Sequence, residues 1–160
     1  MSMIYVVQVS GGSEFNVVNT LLMKEIRAYA PRQELLERRK GIWNTVRRYI
    51  FPGYVFAETE LTAVEYYLIR ETEGVLKILG NPTPLSYSEE HRLRWIFESG
   101  MIGVNKGLVS GGTLTITDGL LKGREAEIVS YSIRQKRCRL CCKINGRKHF
   151  FSISAEIEKL

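Results

Sequence analysis

The chain of 160 residues is 44% hydrophobic and 25% charged, with 14 Gly, 4 Pro and 3 Cys, the balance of a folded globular protein rather than a disordered one. No run approaches the roughly 18 apolar residues of a membrane span, and residues 1 to 10 lack the basic, apolar and small-residue pattern of a signal peptide, so a cytoplasmic protein with no membrane partner is expected. The net charge of +6 is unevenly held: residues 1 to 105 carry 12 Lys and Arg against 12 Asp and Glu, residues 106 to 160 carry 11 against 5, and a basic segment of that kind favours a polyanion, most simply nucleic acid.

Ile4 to Val9 is a β-branched apolar run stopped by Ser10-Gly11-Gly12 and reads as a buried strand. Phe15, Val18, Leu22, Ile26 and Tyr29 then recur at helical spacing up to Pro31. Trp43 to Tyr49 and Pro52 to Thr59 read as consecutive antiparallel strands, with the basic pair Arg47-Arg48 between their apolar parts. Thr62 with Glu65 predicts a capped helix to about Arg70, Val75 to Leu79 a strand, and Ser86 with Glu89 a second capped helix whose apolar stripe is Leu93, Ile96 and Phe97. Residues 101 to 112 contain four glycines and no helical period, and read as a linker or extended crossover. Beyond them every pattern is a strand: Leu114 to Thr117, Glu125 to Tyr131, Arg137 to Ile144 and Lys148 to Ile153, the last two joined by Asn145-Gly146, a strong type I′ hairpin signal.

Counting back from that turn sets Lys143 opposite Lys148, Cys141 opposite Phe150, Arg139 opposite Ser152 and Arg137 opposite Ser154 on one face. Leu140 opposite Phe151, Cys138 opposite Ile153 and Cys142 opposite His149 take the other and predict a mostly apolar interior. The outward face combines phosphate-binding cations, Arg137, Arg139, Lys143 and Lys148, with one ring, Phe150, on which an unpaired base can stack. Cys138 and Cys141 form a C-x-x-C. On a strand, however, Cys141 points away from Cys138 and Cys142, and those two are about 13 Å apart, so small buried hydrophobes are expected rather than metal ligands. His91 and His149 have no evident nucleophile with an orienting group, and no phosphate or dinucleotide fingerprint occurs, so neither an enzyme nor a cofactor is expected.

Phe51-Pro52-Gly53-Tyr54-Val55-Phe56, preceded by Tyr5-Val6-Val7-Gln8-Val9 and Glu14 and followed by Gly74-Val75 and Pro84-Leu85-Ser86, resembles the NusG family of transcription elongation factors. Thr117-Asp118-Gly119 with Lys122-Gly123 is similar to that family's KOW motif. The resemblance implies an α+β chain: a ferredoxin-like NGN domain with an antiparallel sheet and helices over residues 1–100, a linker over 101–112, and a small all-β, SH3-like KOW barrel over 113–160. It implies that Tyr5, Phe51, Pro52, Gly53 and Tyr54 dock on the clamp helices of RNA polymerase. The chain departs from the family pattern at Ile4, where many members carry Trp, at Arg70-Glu71-Thr72, where some contact DNA through Arg-Asn-Thr, and around Leu120-Leu121, where members that bind a ribosomal protein carry Phe. With the basic KOW segment, these departures resemble a specialised paralogue of the LoaP or RfaH kind. The expected function is processive antitermination by a monomer that holds polymerase through NGN and RNA through KOW. The alternative is a protein adaptor whose KOW domain recruits a ribosomal protein or Rho without nucleic acid.

Overall fold

A computed structural model describes residues 1–160. In chain order the elements are β1 (Met3–Val9), α1 (Glu14–Met23), β2 (Arg27–Tyr29), β3 (Arg32–Arg39), β4 (Ile42–Tyr49), β5 (Tyr54–Thr59), α2 (Ala63–Arg70), β6 (Val75–Ile78), α3 (Tyr87–Ser99), β7 (Met101–Ile102), β8 (Asn105–Ser110), β9 (Thr113–Asp118), β10 (Ile128–Ser132), β11 (Arg137–Ile144) and β12 (Arg147–Lys159). The result is the expected α+β class, with three helices among many strands. No helix is long and apolar enough to cross a membrane. The chain divides into two compact units: Met1–Ala30, Phe51–Gly100 and Lys143–Arg147 form the first, and Pro31–Ile50, Met101–Cys142 and Lys148–Leu160 the second.

The first unit is built on an antiparallel sheet in the order β2-β5-β1-β6. Strand alternation sends Val7, Val9, Val55 and Ala57 to one face, where they pack with Val17 and Leu21 of α1 and Ile69 of α2. The opposite face carries Val6 paired with Phe56, and Phe56 lies 4.6 Å from the ring of Phe97 on α3. Helix α3 starts with the complete capping box expected from Ser86 and Glu89 and buries Leu93, Ile96 and Phe97. At α2 the Thr62 hydroxyl bonds the Glu65 carboxylate instead of a backbone amide.

Helix α1 is shorter than its apolar spacing predicts. The Glu25 N–H donates to the Leu22 carbonyl at 3.0 Å and the Ile26 N–H to Leu21 at 2.8 Å, while Glu25 adopts φ 63°, which is a Schellman stop with Glu in the place usually given to Gly. Ile26 and Tyr29 thus leave the helix, and Tyr29 ends β2. The strands predicted over 43–49 and 52–59 do not pair with each other. β4 pairs with β3, from Arg32↔Tyr49 to Arg39↔Ile42, across a Lys40-Gly41 turn, and β5 pairs with β1 and β2. The sequence of β3, RQELLERR, has too little apolar alternation to be legible as a strand.

In the second unit the strands run in the order β10-β11-β12-β8-β9, with β8 parallel to β12. The glycine-bearing stretch 101–112 is extended, as β7 and β8. Residues 125–127 form a single 3-10 turn before β10, and β12 continues to Lys159, beyond the predicted end at Ile153. A second sheet, β4-β3-β7, joins this unit through side chains rather than a strand ladder. The amide of Gln33 donates through Nε2 to the Ser152 carbonyl at 2.7 Å and accepts from the Ser154 N–H at 3.2 Å. The Leu36 N–H donates to the Ser154 hydroxyl at 3.2 Å. Asn105 Nδ2 donates to the Ser154 carbonyl at 3.2 Å, and Asn105 Oδ1 accepts from the Leu121 N–H at 2.9 Å. Gly119, at φ 106°, lies so close to Asn105 that a Cβ there would overlap its side chain, which is the physical demand behind the Asp118-Gly119 pair.

Helix α3 is fastened by charge as well as by its apolar stripe. Arg94 donates to both carboxylate oxygens of Glu58 at 3.2 and 3.0 Å, and the Tyr29 hydroxyl donates to Glu58 Oε1 at 2.6 Å. The Arg94 bonds hold the Glu58 carboxyl below its ordinary range. Its contribution to stability is therefore present above the unfolded pKa of about 4.3 and fades as pH falls through the lower folded value. Glu58→Gln should narrow the difference in stability between about pH 7 and about pH 3, read by urea denaturation at each pH. An unchanged difference would show that the pair contributes nothing.

Candidate functional site

The Phe51–Tyr54 segment is held by Glu14. This residue opens α1, where the helix dipole favours a carboxylate, and it is 2% exposed. Its Oε2 accepts the Gly53 N–H at 2.9 Å, while the Gly53 carbonyl accepts the Val9 N–H at 2.9 Å. Gly53 takes φ 84°, a conformation that favours glycine, and both its backbone groups are thereby fixed. Glu14 Oε1 is buried without a hydrogen-bond partner, so the carboxylate is committed to Gly53 alone within the fold. A charge-assisted hydrogen bond of this kind contributes about 1.5–3 kcal/mol.

The five aromatic and loop residues expected to act together are only partly brought together. Pro52 is exposed and Tyr54 half-buried at the start of β5. Phe51 is 6% exposed, with its ring edge-on to Phe56 at 5.4 Å, so it supports the loop from beneath. Tyr5 pairs with Ala57, whereas Tyr54 pairs with Gln8. By alternation Tyr5 and Tyr54 occupy opposite faces of the sheet, and Tyr5 packs on the cluster under α1 and α2. The surface formed here is Pro52, Gly53 and Tyr54, backed by Phe51, Phe56 and Phe97.

On β11, and on β12 as far as Ile153, the burial pattern alternates as the turn arithmetic requires, whereas Ser154, expected on the outward face opposite Arg137, is fully buried because β3 covers it through Gln33 and Leu36. Cys138, Leu140, Cys142, Ile144, Phe151 and Ile153 are buried, and Asn145 and Gly146 both take positive φ. Burial pushes the Cys138 thiol up to about 11, which makes it an inert apolar side chain. On the outward side Arg139, Lys143 and Lys148 are exposed, and Phe150 is 49% exposed with the Arg139 guanidinium 4.1 Å from its ring centroid. Arg137 is half-buried, donates to the Gln135 and Lys136 carbonyls, and has its pKa lowered by that burial. A desolvated cation beside a cation stacked on a ring is a surface that gains from an approaching anion.

Basic residues outside this face were hidden by counting charge over long stretches. Within residues 31 to 50, Arg32, Arg38, Arg39, Lys40, Arg47 and Arg48 stand against only Glu34 and Glu37. A window of hairpin length would have exposed the excess.

The sequence matches the family model described as transcription termination factor nusG over residues 4–94. Similar proteins include the transcription termination/antitermination proteins NusG of Chlamydia trachomatis, 29% identical over 67% of this chain and 68% of the relative, and of Pseudomonas aeruginosa, 26% identical over 89% of each. The NusG of Halalkalibacterium halodurans is 35% identical over 51% of this chain and 54% of its own. A solved structure of Thermotoga maritima NusG has the same fold, with a TM-score of 0.59 and 18% identity over 96% of this chain and 94% of that one. The motif residues around Phe51–Phe56, the antiparallel sheet that presents them and a family match spanning more than half the sequence together establish that this chain belongs to the NusG family of transcription termination/antitermination factors.

Proposed function

We propose that this chain is a specialised elongation regulator that docks on RNA polymerase through the Pro52–Tyr54 surface and holds RNA on the outward face of β11 and β12. The observation that carries the reading is the stacking of Arg139 on Phe150, on the turn-proximal part of a face where Arg137, Lys143 and Lys148 add further cations and the carboxylates of Glu156 and Glu158 stand only at the far end of β12. Cations neutralise phosphates, and both the ring and the guanidinium plane accept a stacked base. In this reading residues 1–100 supply the polymerase-binding domain and 113–160 the RNA-binding one, with 101–112 passing between them. Processive antitermination follows if RNA held on the second surface keeps the first one seated on the clamp helices.

The docking surface is tested with Tyr54→Ala, a half-buried position at the start of β5. An aromatic anchor near an interface centre costs about 2 kcal/mol or more when truncated, so affinity for purified RNA polymerase should fall at least tenfold with the circular dichroism spectrum unchanged. Phe51→Ala should instead lower the unfolding midpoint, because deleting a buried ring costs about 3–5 kcal/mol. A folded Tyr54→Ala that binds polymerase with full affinity overturns this surface.

For the RNA surface, Arg139→Ala with Lys148→Ala should weaken binding to single-stranded RNA and reduce the salt slope by about 0.7 for each phosphate that is no longer neutralised. Phe150→Ala should cost about 1–3 kcal/mol and leave the slope nearly unchanged, because a ring neutralises no phosphate. Titrations of labelled RNA at several salt concentrations read both effects. If the wild-type chain shows no salt-sensitive RNA binding, the face serves a protein partner such as a ribosomal protein or Rho.

A further inference from the structure

The β3–β4 hairpin and the turn preceding β11 border an open, shallow cavity of about 350 Å³ within the second unit, in the size range of small-ligand sites. The hairpin contributes Arg38, Arg39 and Trp43 to its lining, the turn contributes Gln135, and the first residue of β11 contributes Arg137. Trp43 faces Arg38 across the strand pair, is half-buried, and has Lys136 Nζ 4.8 Å from its ring centroid. The one carboxylate in the lining, Glu37, is engaged by Arg48 at 3.3 Å and also attracts Arg137, so an incoming anion competes with it for that guanidinium. Arg137 uses a single guanidinium nitrogen, Nη1, for the carbonyls of its own turn.

The cavity is continuous with the β11 face through that arginine. Arg137 and Arg139 are two residues apart on one strand, hence on one face and about 7 Å from each other. A chain of nucleotides crossing Phe150 and Arg139 therefore meets Arg137 next, and beyond it the hairpin cations and the indole.

We infer that this cavity is a nucleotide subsite of a single-stranded RNA path, with a phosphate between Arg39 and Arg137 and a base against Trp43. An acidic peptide would find the same cations but would leave the indole between them without a flat partner, which is why a nucleotide is the better occupant. The inference rests on the RNA-binding reading of β11 and β12, and extends it to a hairpin from the amino-terminal half of the sequence.

The test is titration of the full chain with a labelled uridine RNA of about ten nucleotides, long enough for both places. Trp43→Ala should weaken binding about fivefold to a hundredfold with the salt slope retained. Arg39→Ala, at an exposed position where folding is not at stake, should weaken binding and reduce the slope by about 0.7. Full affinity in both variants, alongside weakened binding in Phe150→Ala, overturns the subsite and leaves the β11–β12 reading standing. No RNA binding by the wild-type chain overturns both, as does capture of a polyglutamate peptide in place of the RNA.

Discussion

A short chain of buried, uncharged polar groups decides how the second unit is built. Gln33, Asn105 and Ser154 are each no more than 3% exposed, and their hydrogen bonds reach across as many as 121 residues of sequence. Leaving any one of these groups unpaired would cost about 1–3 kcal/mol, so the strand β3 has one favourable seat, against β12. That seat carries the rest of the hairpin with it. The cations at its tip and Trp43 consequently stand beside the turn before β11, and a cavity exists where two unrelated stretches of sequence meet.

The first unit obeys a different constraint, the burial of the Glu14 carboxylate beneath Gly53. Placing the acid at the start of α1 lets the helix dipole and one backbone N–H share the burden of its charge. The fixed loop then presents Pro52 and Tyr54 outward while Phe51 turns in to meet Phe56. Rigid presentation of this sort reduces what a partner loses in ordering the loop on binding. The residues that face outward are few, and they stand on a core of packed rings.

Much of this was legible in the sequence, for identifiable reasons. The Asn145-Gly146 turn fixed the parity of β11 and β12, so the apolar and basic faces could be assigned residue by residue as far as Ile153; beyond it Ser154 is buried by β3, a partner the turn does not reveal. Ser86 and Glu89 announced α3, because a capping box is a local event that tertiary context need not supply. What escaped was non-local or lacked its usual residue. The α1 stop uses Glu25 where Gly is customary, and β3 is a charged segment made into a strand by β4, β7 and the Gln33 amide. The opposite placement of Tyr5 and Tyr54 required the register of β1 on β5, which no motif states. The Lys40-Gly41 turn lies outside the dipeptides that usually mark a hairpin, so the hairpin excess of charge went unseen beside the neutral total of residues 1 to 105.

The function proposed for the two surfaces requires a protein that touches the transcription machinery and its product at the same time. That is most directly tested by placing a photoreactive amino acid at position 52 or at position 150 and irradiating a polymerase elongation complex carrying the full chain. Position 52 should crosslink to the polymerase clamp helices and position 150 to the nascent RNA. Crosslinks from position 150 to protein alone, or a position 52 that marks no polymerase subunit while the chain remains bound, would contradict the account.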